Sequence, residues 1–262
     1  MTRESQGSRL CKESSQSFNV LGVCYGFLYV VKAKTLRDTV SNAMLRIALR
    51  GEKVIKVSKD KYIWRNRLFY VPSELVEEFF SFVAEVVAGK VYSFEHRYDV
   101  IVDVGGFLGE TAWWFITEGY AKRVLVFEPV YYELCKHNVG DVAEVYPQAV
   151  HRSKGALRLR SSGGQSRATS DGEKVVETVT LAEVLSSLTG SVAVKMDCEG
   201  CEEVLLHTPC EVIGRAEEYV VEFHPLVDME RAVKYMEDCG FDSSPRLTYS
   251  SRLVIYHFRK KR

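Results

Sequence analysis

The chain has no net charge. Its 35 lysines and arginines match its 35 aspartates and glutamates over 262 residues, which excludes a global field drawing it to nucleic acid or to a membrane surface. It also has no long apolar run. The longest, Phe18 to Val31, is broken by Asn19, by glycines and by tyrosines. It falls short of the ~20 apolar residues that a membrane-spanning helix needs, so it reads as buried strand or helix. The Ser-rich, charged start lacks the small-residue cleavage pattern of a signal peptide. Seven cysteines, odd in number and scattered, do not make a secreted disulfide framework. These absences lead to the expectation of a cytoplasmic protein. The balanced charge is unevenly spread: residues 1–90 carry 15 basic against 9 acidic side chains, an excess read as a solvated face. The length suits one α/β domain with an N-terminal extension.

A further absence narrows the chemistry. Nowhere does a strand-like run lead into G-x-G-x-x-G, the turn that seats the pyrophosphate of a dinucleotide on a helix end. What stands there instead is VIVDVGGFLGE, Val100 to Glu110. Ile101, Val102 and Val104 suit a strand buried on both faces. Gly105, Gly106 and Gly109 then allow a sharp turn and close approach of backbone to a ligand, ahead of a helix whose free amides favour an anionic group. Asp103 at the turn repels a pyrophosphate and attracts a cation. A second apolar strand, VLVFEP (Val124 to Pro129), ends in Glu128, the placement from which a carboxylate grips ribose hydroxyls. The pair points to S-adenosylmethionine rather than NAD as cofactor.

Residues 1–17 are polar. Thr35 to Leu49 has helical periodicity, and Val54 to Val57 and Tyr62 to Val71 read as strands. Pro72 and Ser73 open a helix expected to run to about Val87. Residues 1–96 are thus expected to form a small α+β extension or cap, and residues 97–262 the main domain. From there strands (98–104, 123–128, 143–150, 191–197, 217–224) alternate with helices (109–118, 130–139, 180–188, 200–207, 228–239), the pattern of a doubly wound parallel sheet. Two closing strands, 246–250 and 252–258, have no helix between them and must be antiparallel. Residues 161–174 lack apolar periodicity and are expected to form a mobile loop over the site.

The second dense motif is VAVKMDCEGCEE, Val192 to Glu203. Alternation places Lys195 and Asp197 on one side of the strand, and a lysine there needs a carboxylate partner, Asp103 or Glu222. EYVVEFHP brings Glu222 and His224 to the end of the next strand. Ligands of open α/β sheets collect at the carboxyl ends of strands, so Asp103, Glu128, Asp197, Glu199, Glu222 and His224 are expected around one crevice. His224, with an unperturbed pKa near 6.5, is the expected base, with Asp197 and Glu199 beside it. Asp197, Glu199, Glu202 and Glu222 with His224 also have the composition of a hard divalent-ion site, the weaker reading, so no metal ligand is assigned. Cys198 and Cys201 form a lone C-x-x-C and are read as small buried residues. Trp113 and Trp114 are read as helix-face packing.

On these residues the chain resembles the FkbM-like family of S-adenosylmethionine-dependent methyltransferases. The resemblance spans roughly residues 97–224: VDVGGFLGE, FEP at Phe127 to Pro129, Asn138, QAV at Gln148 to Val150, Thr180-Leu181, KMDCEGCE, and Glu222 with His224. It implies a Rossmann-like class I sheet, mostly parallel with an antiparallel last strand. It implies S-adenosylmethionine held at its methionine part by Asp103, Gly105, Gly106, Phe107 and Gly109, at the ribose by Glu128 and Pro129, and at the adenine edge by Gln148 and Ala149. Asp197, Glu199 and His224 would face the acceptor, with Asp197 also reaching the cofactor. It implies O-methylation of a small-molecule or glycan-like acceptor. Gly106-Phe107 stands where the family has Ala-Asn, and Ala182 where it has Asp. The alternatives are an RNA methyltransferase using the basic N-terminal region, though the Asn-Pro-Pro-Tyr-type turn of base-amine enzymes is absent, and a non-catalytic binding module of the same fold. Neither the acceptor nor the oligomeric state is fixed by the sequence.

Overall fold

The structure is a computed structural model that describes residues 18–24, 27–33, 53–84, 90–162, 165–250 and 253–262. Contacts divide it into two units, residues 1–50 and 51–262. In the first, β1 (Phe18–Cys24) and β2 (Phe27–Ala33) pair as an antiparallel hairpin. The helix expected over Thr35 to Leu49 lies outside the described residues.

The second unit opens with an antiparallel meander of β3 (Val54–Ser58), β4 (Lys61–Trp64) and β5 (Arg67–Tyr70). Pro72, which has no amide to donate, then precedes a single 3₁₀ turn, Ser73–Leu75, and helix α1 (Val76–Ala84). Trp64, Phe69 and Phe79 are fully buried where strands and helix meet.

The central sheet follows the expected alternation. Its strands are β6 (Tyr98–Val104), β7 (Ala121–Phe127), β8 (Glu144–Tyr146), β13 (Val192–Met196), β14 (Glu218–Phe223), β15 (Phe241–Ser250) and β16 (Leu253–Lys260). Their spatial order is β15-β16-β14-β13-β6-β7-β8. The five from β14 to β8 are parallel, while β16 runs antiparallel to β14 and β15 to β16. Every residue of β13 and β14 is buried, as a sheet covered on both faces requires. The helices are α2 (Glu110–Thr117), α3 (Tyr132–Val139), α4 (Leu181–Ser186), α5 (Cys210–Ile213) and α6 (Met229–Asp238). Helix α4 starts on a capping box between Thr180 and Glu183, so Ala182 leaves its first turn well capped. Among the described residues, no helix is long and apolar enough to cross a membrane.

Several expectations are corrected. The strand expected at 143–150 is two short ones: β8 on the central sheet and β9 (Ala149–Val150) in another. Pro147 lies between them and cannot donate to a ladder. The mobile loop expected at 161–174 is a strand hairpin. β10 (Gly155–Ser162), β11 (Gln165–Ala168) and β12 (Lys174–Val179) form with β9 a four-stranded sheet in the order β11-β10-β12-β9. The apolar alternation that marks it, Leu157 and Leu159 between exposed Arg158 and Arg160, lies upstream of the window read as loop. The helix expected at 200–207 is a 3₁₀ segment, Cys201–His207, entered through Gly200 at φ 115°.

The cysteine reading is corrected most. Cys198 and Cys201 form a disulfide, and so do Cys210 and Cys239, while Cys135 is free and buried. Such bonds are rare in cytosolic proteins, apart from hyperthermophile proteins and transient, catalytic or redox-sensing pairs. The cysteine count therefore gives the cytoplasmic expectation no support.

Candidate active site

Four strand ends build the site, those of β6, β7, β13 and β14. The turn after β6 runs through Gly105, at φ 82°, where a Cβ would lie 1.8 Å from the carbonyl oxygen of Asp197. Glycine is needed there because this turn packs directly on the turn that follows β13. Phe107, at φ 46°, is a non-glycine residue in the left-handed region. Its amide donates to Glu128 Oε2 at 2.9 Å, while Val130 and Tyr131 donate theirs to Glu128 Oε1 at 2.7 and 2.8 Å. Glu128 thus ties the end of β7 to the glycine turn and the start of α3. Burial pushes its carboxyl up, and these three amides oppose the rise. Asn138, 1% exposed, locks the same turn to the meander: it accepts from the Tyr70 amide at 2.7 Å and donates to Leu108 O at 3.0 Å.

The cavity these turns enclose measures about 460 Å³, within the usual range for a site that buries a cofactor-sized molecule. One end is formed by Gly105, Phe107, Glu128, Pro129 and Ala149, with Val150, Leu157 and Leu159 as an apolar wall. Toward β13 and β14 the lining is Asp197, Glu199, Glu222 and His224, with Phe82 and Leu226. The hairpin β10–β11 contributes Ser166 and Ala168, so the segment read as a loop does border the site, as strand.

Of the residues expected at the cofactor, Asp103, Gly106, Gly109 and Gln148 do not line this cavity. Asp103 is fully buried. Its Oδ1 lies 3.0 Å from Lys195 Nζ, and its Oδ2 accepts from Thr111 Oγ1 at 2.6 Å. The cation it was expected to receive from a ligand is supplied by the chain. A Cβ at Gly106 would meet Val126, and one at Gly109 would meet Val139. Trp114 is buried, Trp113 stacks under Arg67, and neither borders the cavity.

Lys195 lies opposite Asp103 in the β13–β6 register and is fully buried. It donates to Gly105 O at 2.6 Å and lies 3.9 Å from Asp197 Oδ2. Burial disfavours its charge, yet Asp103 and Asp197 hold it protonated. Tyr92, fully buried, donates to Glu222 Oε2 at 2.6 Å and approaches Asp197 Oδ2 at 3.0 Å. No sequence signal marked it, for it stands in the expected extension, outside every motif.

His224 Nδ1 lies 3.0 Å from Glu202 Oε1, leaving Nε2 to face Asp197 Oδ1 at 3.8 Å and Glu199 Oε1 at 3.6 Å. Burial alone would lower its pKa. The hydrogen bond to Glu202 and the charges of Glu202, Asp197 and Glu199 outweigh that and raise it to about 9. The imidazole therefore carries its proton at neutral pH, contrary to the expectation argued from its unperturbed value. Burial likewise raises the Glu199 carboxyl, against the pull of His224. Cys198 and Cys201 line the same cavity, and their disulfide staples the turn that presents Asp197 and Glu199.

Comparison with known proteins identifies the family. The methyltransferase FkbM domain family matches residues 103–243. No curated protein matches the chain. Among solved structures, precorrin-6y C5,15-methyltransferase from Geobacter metallireducens GS-15 is 13% identical, over 68% of this chain and 88% of that one, at a TM-score of 0.40. Ribosomal protein L11 methylase from Lactobacillus delbrueckii subsp. bulgaricus is 11% identical, over 70% and 80%, at 0.39. M. capricolum TrmK in complex with S-adenosylhomocysteine is 7% identical, over 65% and 66%, at 0.39.

Proposed function

The chain belongs to the FkbM methyltransferase family and is an S-adenosylmethionine-dependent methyltransferase; on that premise we propose that it methylates a hydroxyl group of a small or glycan-like acceptor held between Asp197, Glu199 and His224. The observation that carries this reading is the division of one cavity into two chemically different ends. Glu128, Phe107 and the apolar wall around Ala149 form the nucleoside end, and the carboxylate and imidazole groups form the other.

The donor fits the first end. Glu128 keeps its carboxylate at the cavity wall although three amides already hold it, and Ala149, Val150 and Leu157 offer an apolar surface suited to adenine. S-adenosylmethionine supplies there an electrophilic methyl group. At the second end the chain orients the acceptor oxygen beside His224 Nε2 and receives the hydroxyl proton on Asp197 or Glu199. Phe82 and Leu226 add apolar surface to the cavity lining.

Asp197, Glu199 and Glu203 in the cavity lining disfavour a polyphosphate chain. In the meander, Arg65 pairs with Glu118 and Arg67 with Asp141, so part of the basic surplus is neutralised within the protein. Both observations favour a hydroxyl compound over RNA. The test supplies radiolabelled methyl donor with a panel of sugars and polyols, and with total RNA. Label in a hydroxyl compound, lost in Asp197→Asn, supports the reading; label in RNA alone overturns it.

A further inference from the structure

We propose that Asp197, Glu222 and His224 form a binding site for one divalent first-row transition ion, with Mn²⁺ as the model ion, and that the acceptor hydroxyl takes an open position on it. One ligand atom from each of these residues lies within 4.8 Å of the others. They come from the ends of two adjacent parallel strands, β13 and β14, so the sheet fixes their separation.

The distances point to ligands rather than to hydrogen-bond partners. His224 Nε2 is 3.8 Å from Asp197 Oδ1 and 3.6 Å from Glu199 Oε1, beyond a hydrogen bond. Two ligands on one ion, each about 2.1 Å from it, lie roughly 3–3.5 Å apart. A small contraction would close the group around a metal. Two carboxylates with one imidazole favour Mn²⁺, Fe²⁺ or Zn²⁺ over ions that prefer oxygen alone.

Second, the outer groups are arranged as metal sites need them. Glu202, fully buried, engages His224 Nδ1 at 3.0 Å, the carboxylate–histidine relation that orients a ligating imidazole. Its other oxygen, Oε2, is buried and has no hydrogen-bond partner. Tyr92 donates to Asp197 Oδ2 and Glu222 Oε2, whereas His224 Nε2 lies nearest the other Asp197 oxygen, Oδ1. Glu199 Oε2 makes no hydrogen bond and has the Arg167 guanidinium 3.8 Å away, and the Glu199 backbone lies in the left-handed region at φ 59°. A divalent ion offsets the carboxylate surplus.

The role of the ion at the acceptor hydroxyl rests on the methyl-transfer reading, whereas its binding does not. The experiment is a titration of the full chain with Mn²⁺, followed by electron paramagnetic resonance, with S-adenosylhomocysteine binding measured in parallel by calorimetry. The expected result is one bound Mn²⁺ per chain, an affinity at least ~10-fold weaker in Glu222→Gln and in His224→Ala, and unchanged S-adenosylhomocysteine binding in both, which shows that they are folded. A free-ion signal throughout, or equal Mn²⁺ binding by both variants, overturns the site. If S-adenosylhomocysteine binds and Mn²⁺ does not, the inference fails and the methyl-transfer reading stands. If Mn²⁺ binds and S-adenosylhomocysteine does not, the site stands and its catalytic role is overturned.

Discussion

Glu202 and His224, 22 residues apart in sequence, meet at 3.0 Å in the interior, with Glu202 fully buried and His224 6% exposed. This contact fixes which imidazole nitrogen faces the cavity, because Nδ1 is engaged and only Nε2 remains. Glu202→Ala is expected to lower turnover by about 10–100-fold with S-adenosylhomocysteine affinity unchanged. Glu202→Gln, which keeps an oxygen for both the imidazole and the Cys198 amide, should restore part of it. A loss confined to cofactor affinity would remove Glu202 from the acceptor end.

Lys195 is expected to be the costliest single truncation beneath the site. Lys195→Met leaves the Asp103 carboxyl fully buried without its cation, a loss of about 3–5 kcal/mol measurable by urea unfolding. Adding Asp103→Asn removes the stranded carboxyl and should recover a large part of that. If the double variant is no more stable than the single one, the pair is not coupled as described.

Glu110 gives the fold a pH dependence of definite sign. Full burial raises its carboxyl from 4.5 to about 8, the amides of Leu108 and Glu110 itself opposing. In the unfolded chain it ionises near 4.5, so the unfolded state is favoured as pH rises between about 4.5 and 8. Stability attributable to this residue is full below 4.5 and falls by up to ~1.4 kcal/mol per pH unit across that window. Glu110→Gln keeps an oxygen for the Leu108 amide and should flatten the slope. Denaturant midpoints at pH 5 and pH 8 that differ equally in wild type and variant would refute it.

The two disulfides are expected to act differently. Cys210–Cys239 spans 29 residues, and its loss in Cys210→Ser with Cys239→Ser should destabilise by about 3 kcal/mol with turnover retained. Cys198–Cys201 closes a loop too short to matter much to the unfolded chain, yet it staples the Asp197–Glu199 turn. Cys198→Ser with Cys201→Ser should therefore lower turnover more than the melting temperature. The reverse pattern would contradict this division.

Legibility of the chain followed periodicity and strand ends. Buried strands such as Val100 to Val104 and Val192 to Met196 repeat apolar residues through both faces, so the central sheet and its antiparallel close could be read directly. Asp197, Glu199, Glu222 and His224 were found together because the ends of adjacent parallel strands must converge. Asp103 sits at such an end too, but whether it faces a ligand or Lys195 depends on packing between strands, which one strand's sequence does not encode. Tyr92 reaches the site from a stretch without periodicity. The hairpin β10–β12 hides its alternation among serines and glycines. The Cys198–Cys201 bond could not be told from packed thiols, since spacing alone does not specify redox state.

The most direct test of the account is calorimetric titration of S-adenosylhomocysteine and, separately, NAD into the wild-type chain and Glu128→Ala. The account predicts one S-adenosylhomocysteine per chain, binding at least ~10-fold weaker without the Glu128 carboxylate, and no heat from NAD. Binding of NAD alone, or S-adenosylhomocysteine binding indifferent to Glu128, would contradict it.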